Sequence, residues 1–181
     1  HCDECGEADD RDEVRLMFFV PAVPIRTGTS LINTLGNLGL LTNLKLCLDA
    51  GDVNSYDGSS QPWKDLSGGG YDFYRGTTNA SQATDPTFNG TAGKQSSGEY
   101  FSYDGGDYFT LGQANPSWVN NLHKNNAKLT ILAWLHVGST TTGTSESIFG
   151  DANVLDSTKV GFEFGAGFHV DGDLGIDVEN G

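Results

Sequence analysis

Leu44-Lys45-Leu46-Cys47-Leu48-Asp49-Ala50 opens the part of the chain that decides the fold. Leu44, Leu46 and Leu48 recur every second residue, the period of a strand with one apolar face. Cys47 sits within this run and reads as a small core residue. A polar loop, GDVNSYDGSSQPWKDLSGGG, follows over 51–70. Further on, Tyr100-Phe101-Ser102-Tyr103, the turn Asp104-Gly105-Gly106-Asp107, and Tyr108-Phe109-Thr110-Leu111 predict a hairpin. Asn115-Pro116 predicts a helix start, with Asn as N-cap and Pro in the first position. Trp118, Val119 and Leu122 then share one face of a short helix. Residues 127–137, AKLTILAWLHV, carry the strongest strand pattern, with Leu129, Ile131, Ala133 and Leu135 on one face. SIFGD (147–151), KVGFEFGAGFHV (159–170) and LGIDVENG (174–181) predict three more short strands. Short strands separated by turns, with one brief helix, predict an all-β antiparallel sandwich. Phe101, Tyr103, Phe109, Trp134, Phe149, Phe162, Phe164 and Phe168 are placed to fill its interior.

Upstream the pattern breaks. Residues 14–23, VRLMFFVPAV, are apolar and interrupted by Pro21, with Pro24 just beyond. Phe18, Phe19, Val20, Pro21, Val23 and Pro24 form the candidate assembly segment. Such a stretch either docks on another subunit or forms an edge strand within its own chain. Leu31, Leu35, Leu38 and Leu41 have helical spacing, which Gly36 and Gly39 weaken. Residues 1–13, HCDECGEADDRDE, form an acidic, solvated tip.

The chain has 181 residues, about one domain's worth, with 25 glycines and 5 prolines. Ten basic and 24 acidic side chains give a formal charge of −14. Seven acids lie in the tip and seventeen beyond residue 43, so the excess persists along the chain. So acidic a chain should repel a phosphate backbone, which argues against nucleic-acid binding. Its longest apolar stretch is far short of a membrane span.

Leu46-Cys47-Leu48-Asp49-Ala50-Gly51-Asp52-Val53-Asn54-Ser55-Tyr56, followed by Trp63-Lys64-Asp65-Leu66-Ser67-Gly68, resembles the "L-x-L-D-A-G-x-x-x-S-Y … W-x-D-L-S-G" opening of concanavalin A-like, laminin G-type jelly-roll domains. Tyr103-Asp104-Gly105-Gly106-Asp107-Tyr108-Phe109 is similar to their "F-D-G-x-D-Y" hairpin. Leu129-Thr130-Ile131-Leu132-Ala133-Trp134-Leu135 is similar to their "F-T-I-x-x-W-V" central strand. The resemblance runs in order over residues 44–181. It implies an antiparallel β-sandwich jelly roll with one short helix, preceded by an N-terminal extended arm over 1–43. The arm has no counterpart in the family. The family pattern also continues past Asp177, and Gly167–Gly172 only loosely echoes its "Y-V-D-G" hairpin. The expectation is a sandwich incomplete at its C-terminus, or completed by another chain, with open edge strands that seek a partner.

Domains of this kind are common in tailed-phage virion proteins. The resemblance therefore implies a non-enzymatic virion surface protein: a head-decoration, head-fibre or tail-fibre module attached through residues 1–43. The implied partners are other capsid or fibre subunits, copies of the same chain and a host surface glycan. The implied location is the virion surface, after synthesis in the host cytoplasm. The alternative is a calcium-dependent carbohydrate-binding module of a secreted or cell-surface protein.

A glycosidase is the third reading, and it needs a pair of carboxylates across a cleft. The family's glucanases use an E-x-D-x-x-E strand that is absent here, where Glu163 stands between Phe162 and Phe164. No G-x-S-x-G elbow accompanies the four histidines. Gly68–Gly70 is not followed by the Lys-Ser/Thr of a phosphate loop. Calcium is the most credible ion, because hard cations take several oxygen ligands. Asp49, Asp52, Asn54 and Asp57 share one loop with Asp65 close behind, and Asp104 and Asp107 crowd a second turn. The competing reading is that these residues cap turns through nearby backbone amides. Trp63, Tyr71, Tyr74 and Trp118 are the candidate sugar platform, with Trp63 also suited to anchoring its loop on the core. Cys2 and Cys5 form a C-x-x-C with no second pair to complete a zinc site.

Overall fold

The structure, a computed structural model, describes residues 29–96, 98–114, 116–122, 126, 128–136, 146–150, 161–166 and 174–179. The assembly segment Phe18–Pro24, the Cys2/Cys5 pair and Phe168 lie outside them. The described residues divide at residue 115 into two compact units. Their strands are all antiparallel, with one short α-helix.

The helix, α1, spans Leu31–Asn37. Ser30 is its N-cap, with Oγ accepting from the Asn33 N–H at 3.4 Å. Gly39 takes a left-handed φ of 71° just past the end. The Gly39 N–H donates to Gly36 O at 3.0 Å and the Leu40 N–H to Leu35 O at 2.9 Å. That pair of bonds is a Schellman cap, so the glycine that weakened the helical pattern is what terminates it. The only α-helix among the described residues thus lies here and not after Pro116, where a single 3-10 turn covers Val119–Asn121.

In the same unit β1 (Pro62–Trp63), β2 (Phe73–Arg75) and β5 (Phe109–Leu111) form one sheet in the order β1-β2-β5. Pro62 opens an edge strand, the position a residue without an N–H tolerates. β3 (Thr87–Asn89) and β4 (Tyr100–Ser102) form a second, two-stranded sheet. The expected hairpin over 100–111 therefore has its turn but not its pairing. The chain crosses at Asp104–Asp107 from one sheet to the other, and β4 and β5 each pair elsewhere. Between the sheets lies a cluster of rings. Phe101 of β4 packs 4.7 Å from Trp63 and 4.9 Å from Phe109, centroid to centroid. Tyr56, fully buried, lies 4.9 Å from Phe88 and 4.8 Å from Phe101. Tilted and edge-on rings at these separations pair favourably beyond their buried area.

Residues 44–49 are not a strand. Their backbone bonds go to side chains and loop carbonyls in place of a ladder: the Cys47 N–H to Asp65 Oδ1 at 2.9 Å, and the Asp49 N–H to Ser55 Oγ at 3.1 Å. Cys47 is buried while Leu44, Leu46 and Leu48 are half-buried.

In the second unit β6 (Glu146–Gly150), β7 (Gly161–Ala166) and β8 (Leu174–Glu179) form a three-stranded sheet with β7 in the centre. Phe162 and Phe164 are buried on β7, and Phe149 packs 5.6 Å from Phe162. These are three of the expected strands, in order. Residues 128–136, the most strongly patterned segment, carry no strand assignment, and Trp134 is 79% exposed where a core ring was expected. Tyr103, also expected inside, is exposed.

Candidate functional site

The loop 46–72 holds most of the residues singled out for chemistry, and its candidate ligand residues Asp49, Asp52, Asn54, Asp57 and Asp65 all have hydrogen-bond partners. Asp49 Oδ2 accepts from the Leu31 N–H at 2.9 Å, joining this loop to the first turn of α1, and Oδ1 accepts from the Gly51 N–H at 2.9 Å. Asp52 is buried, and its Oδ1 accepts from the Asn54 backbone and side-chain amides at 2.8 and 2.9 Å. Ser55, buried as well, donates Oγ–H to Lys64 O at 2.7 Å while accepting from Asp49. Asp57 Oδ1 accepts from the Ser59 and Ser60 N–H groups at 2.9 and 2.7 Å.

Asp65 does the most. Its Oδ1 accepts from the Cys47 and Ser67 N–H groups at 2.9 and 2.8 Å. Its Oδ2 accepts from Ser67 Oγ at 2.7 Å and the Tyr71 N–H at 3.2 Å. The Asp65 N–H in turn donates to Asp72 Oδ1 at 2.9 Å. The spacing read as a candidate calcium loop is thus a set of carboxylates turned onto backbone amides. Among the described residues no three His, Cys, Asp or Glu side chains are grouped so as to hold a metal ion.

Burial, then the charges of Asp49, Asp65 and Asp52, push the Cys47 thiol up to about 11. A thiol this far from ionising is a poor nucleophile. With Cys2 and Cys5 replaced by Ser, the native protein should react with a thiol reagent at pH 8 only as fast as it unfolds. Prompt labelling of Cys47 would contradict its burial.

The candidate sugar residues are packed or half-buried. Trp63 is packed among rings, 4.7 Å from Phe101 and 5.0 Å from Phe109. Its Nε1 is buried without a hydrogen-bond partner among the described residues. Tyr71 and Tyr74 are half-buried, and the Tyr71 ring covers Gly69, where a Cβ would come within 2.5 Å of it. Trp118, half-buried, belongs to the other unit.

The open aromatic side chains of the first unit are instead Tyr100, Tyr103 and Tyr108, around the Asp104–Asp107 turn. Partial desolvation by the surrounding chain, then the Asp107 charge, push the Tyr103 hydroxyl up to about 12, although more than half of the side chain is exposed. Strand alternation at Tyr100-Phe101-Ser102 already pointed Tyr100 outward once Phe101 was assigned to the core.

Three carboxylates are held below their ordinary range. In Asp57 the N–H groups of Ser59 and Ser60 do this. In Asp85 and Glu99 burial acts upward but is outweighed, by the Gln82 N–H, the Gln61 amide and the Arg75 charge for Asp85, and by Ser96 and the Thr91 N–H for Glu99. A depressed folded-state value stabilises the fold above the unfolded value and loses that contribution as pH falls through the folded one. Stability should therefore hold at neutral pH and fall on acidification, starting near Glu99's ordinary 4.5 and continuing below the 3.8 of the aspartates. A Glu99→Gln variant should show a smaller acid loss in urea titrations at pH 7 and pH 3.

Comparison of the chain with family models, curated proteins and solved structures finds no match.

Proposed function

We propose that this chain is a non-enzymatic surface protein of a tailed-phage or phage-like virion, a head-decoration, head-fibre or tail-fibre module built on a laminin G-type jelly roll. Its displayed surface meets host glycans, and residues 1–43 attach it to other particle subunits. The observation that carries this reading is the ordered set of motifs over 46–68, 103–109 and 129–135. Two of those segments supply Tyr56, Trp63 and Phe109 to one aromatic cluster between two small sheets, the kind of interior a sandwich requires. The Asp-rich loop, spent on backbone amides, supports a structural rather than a catalytic role.

The test is physical association. The protein should band with purified particles in a density gradient and be labelled on their surface by a specific antibody. A variant lacking residues 1–28, which keeps Ser30, α1 and the Asp49 bond to Leu31, should remain folded and be lost from the particles. Recovery of the full chain only in the particle-free fraction would defeat the reading.

A further inference from the structure

Residues 128–136 carry the strongest strand pattern of the chain, yet their backbone enters no sheet. Within them Leu132, Trp134 and Leu135 are 66%, 79% and 44% exposed, and Ala133 is exposed as well. These residues are consecutive, so the apolar surface is continuous along the chain whichever way alternate side chains turn. A segment of high β-propensity with open backbone groups, little charge and no Pro is a template for strand addition, and a hazard unless something covers it.

Two properties of the segment select what covers it. The first is charge. No acidic residue stands between Asp107 and Glu146, the longest acid-free stretch in a chain of charge −14. Two copies of so acidic a chain repel each other over most of their length. Along this stretch they can approach without that penalty. The second is self-complementarity. Turned antiparallel on itself about Leu132, the segment sets Leu129 against Leu135, Ile131 against Ala133 and Trp134 against Thr130. Residues opposite each other in an antiparallel pair share a face, so apolar meets apolar and the larger side chains meet smaller ones. A two-fold contact uses the same patch on both copies and so closes at two.

We infer that residues 128–136 are the edge through which two copies of this chain pair, antiparallel about a two-fold axis near Leu132. The contact involves residues other than the 1–43 segment and does not rest on particle attachment, so it is tested on the isolated protein. A single strand pair is small beside a standard interface, so the dimer should dissociate on dilution.

Sedimentation equilibrium of the full chain, with reductant present so that Cys2 and Cys5 cannot link copies, should show a reversible monomer–dimer equilibrium. Leu132 meets its own copy at the axis and is exposed, so its replacement should leave the fold intact, which near-UV circular dichroism checks. Leu132→Asp and Leu132→Lys should each weaken the dimer about tenfold or more, by setting like charges opposite one another. An equimolar mixture of the two variants should regain it, because opposite charges then pair. Hydrogen exchange of the wild type, which needs no variant to fold, should show the amides of 128–136 increasingly protected as concentration rises. A protein monomeric at every concentration would overturn the inference, as would a dimer untouched by both variants or a mixture that fails to recover it. Protection of 128–136 that is equal at all dilutions would show the segment covered by its own chain and would overturn it too. Open-ended assemblies in place of a dimer would overturn the two-fold pairing.

Discussion

Replacing Tyr56 with Ala should cost roughly 4 kcal/mol, the range for truncating a fully buried aromatic side chain. Tyr56 touches both Phe88 and Phe101, so its loss opens a hole in the layer between the two small sheets. The cluster has little reserve. β1 has two residues and β2 to β5 three each, so rings and not ladders hold the sheets together. Tyr56→Phe separates packing from bonding. It keeps the ring and removes the hydroxyl that accepts from Arg75 Nη1 at 2.9 Å. Burial foremost, opposed by Arg75, raises the Tyr56 hydroxyl above its ordinary value, so the lost bond is one from a cation to a neutral phenol. Arg75 retains its 3.0 Å bond from Nε to Pro86 O, and Tyr56→Phe should cost about 1–2 kcal/mol. Near-UV circular dichroism during urea unfolding reports the packed rings directly. If the Phe variant lost as much as the Ala variant, the Arg75 bond and not the ring cluster would be the dominant contribution.

What the sequence disclosed, and what it did not, follows from range. The alternation through Phe162 and Phe164 is local, and it placed β7 and its neighbours in order. The Asp104-Gly105-Gly106-Asp107 turn is also local and is present. The partner of each flanking strand is not, since β4 chooses Thr87–Asn89 and β5 chooses Phe73–Arg75 across many residues. Nothing in Tyr100–Leu111 alone distinguishes a hairpin from a crossing between sheets. The leucine alternation at 44–48 is real as well. It misled because side-chain acceptors, Asp65 and Ser55, take the N–H groups that a ladder would have used. Gly39 reads in the sequence only as weakening a helix, and its left-handed φ and the bonds around it show it to be the helix's terminator. Trp63 has two readings at the candidate site, sugar platform or anchor of its loop, with the anchor favoured, and its neighbours Phe101 and Phe109 agree with the anchor.

The second large effect belongs to Asp65. Asp65→Ala removes the acceptor for three N–H groups and one hydroxyl at once, among them the N–H of Cys47, a buried residue. Bonds to a carboxylate are worth more than neutral ones, and a buried donor left without a partner costs its full desolvation. The expected loss is about 3 kcal/mol. Asp65→Asn should lose roughly half of that. Its carbonyl oxygen can still serve Cys47 and Ser67, but its amide then faces the Tyr71 N–H, donor against donor. The same pair of variants discriminates what the carboxylate is for. If Asp65 acts as a backbone acceptor, the wild type and both variants should keep their urea midpoints when EDTA or millimolar calcium is added. If it held calcium, the wild-type midpoint would rise with the ion, as binding to the native state requires. The Ala variant would then lose that dependence. The four bonds at 2.7 to 3.2 Å leave neither Asp65 oxygen without a donor, so an ion entering there would have to displace backbone amides already satisfied. On that ground the calcium-independent outcome is the expected one at Asp65.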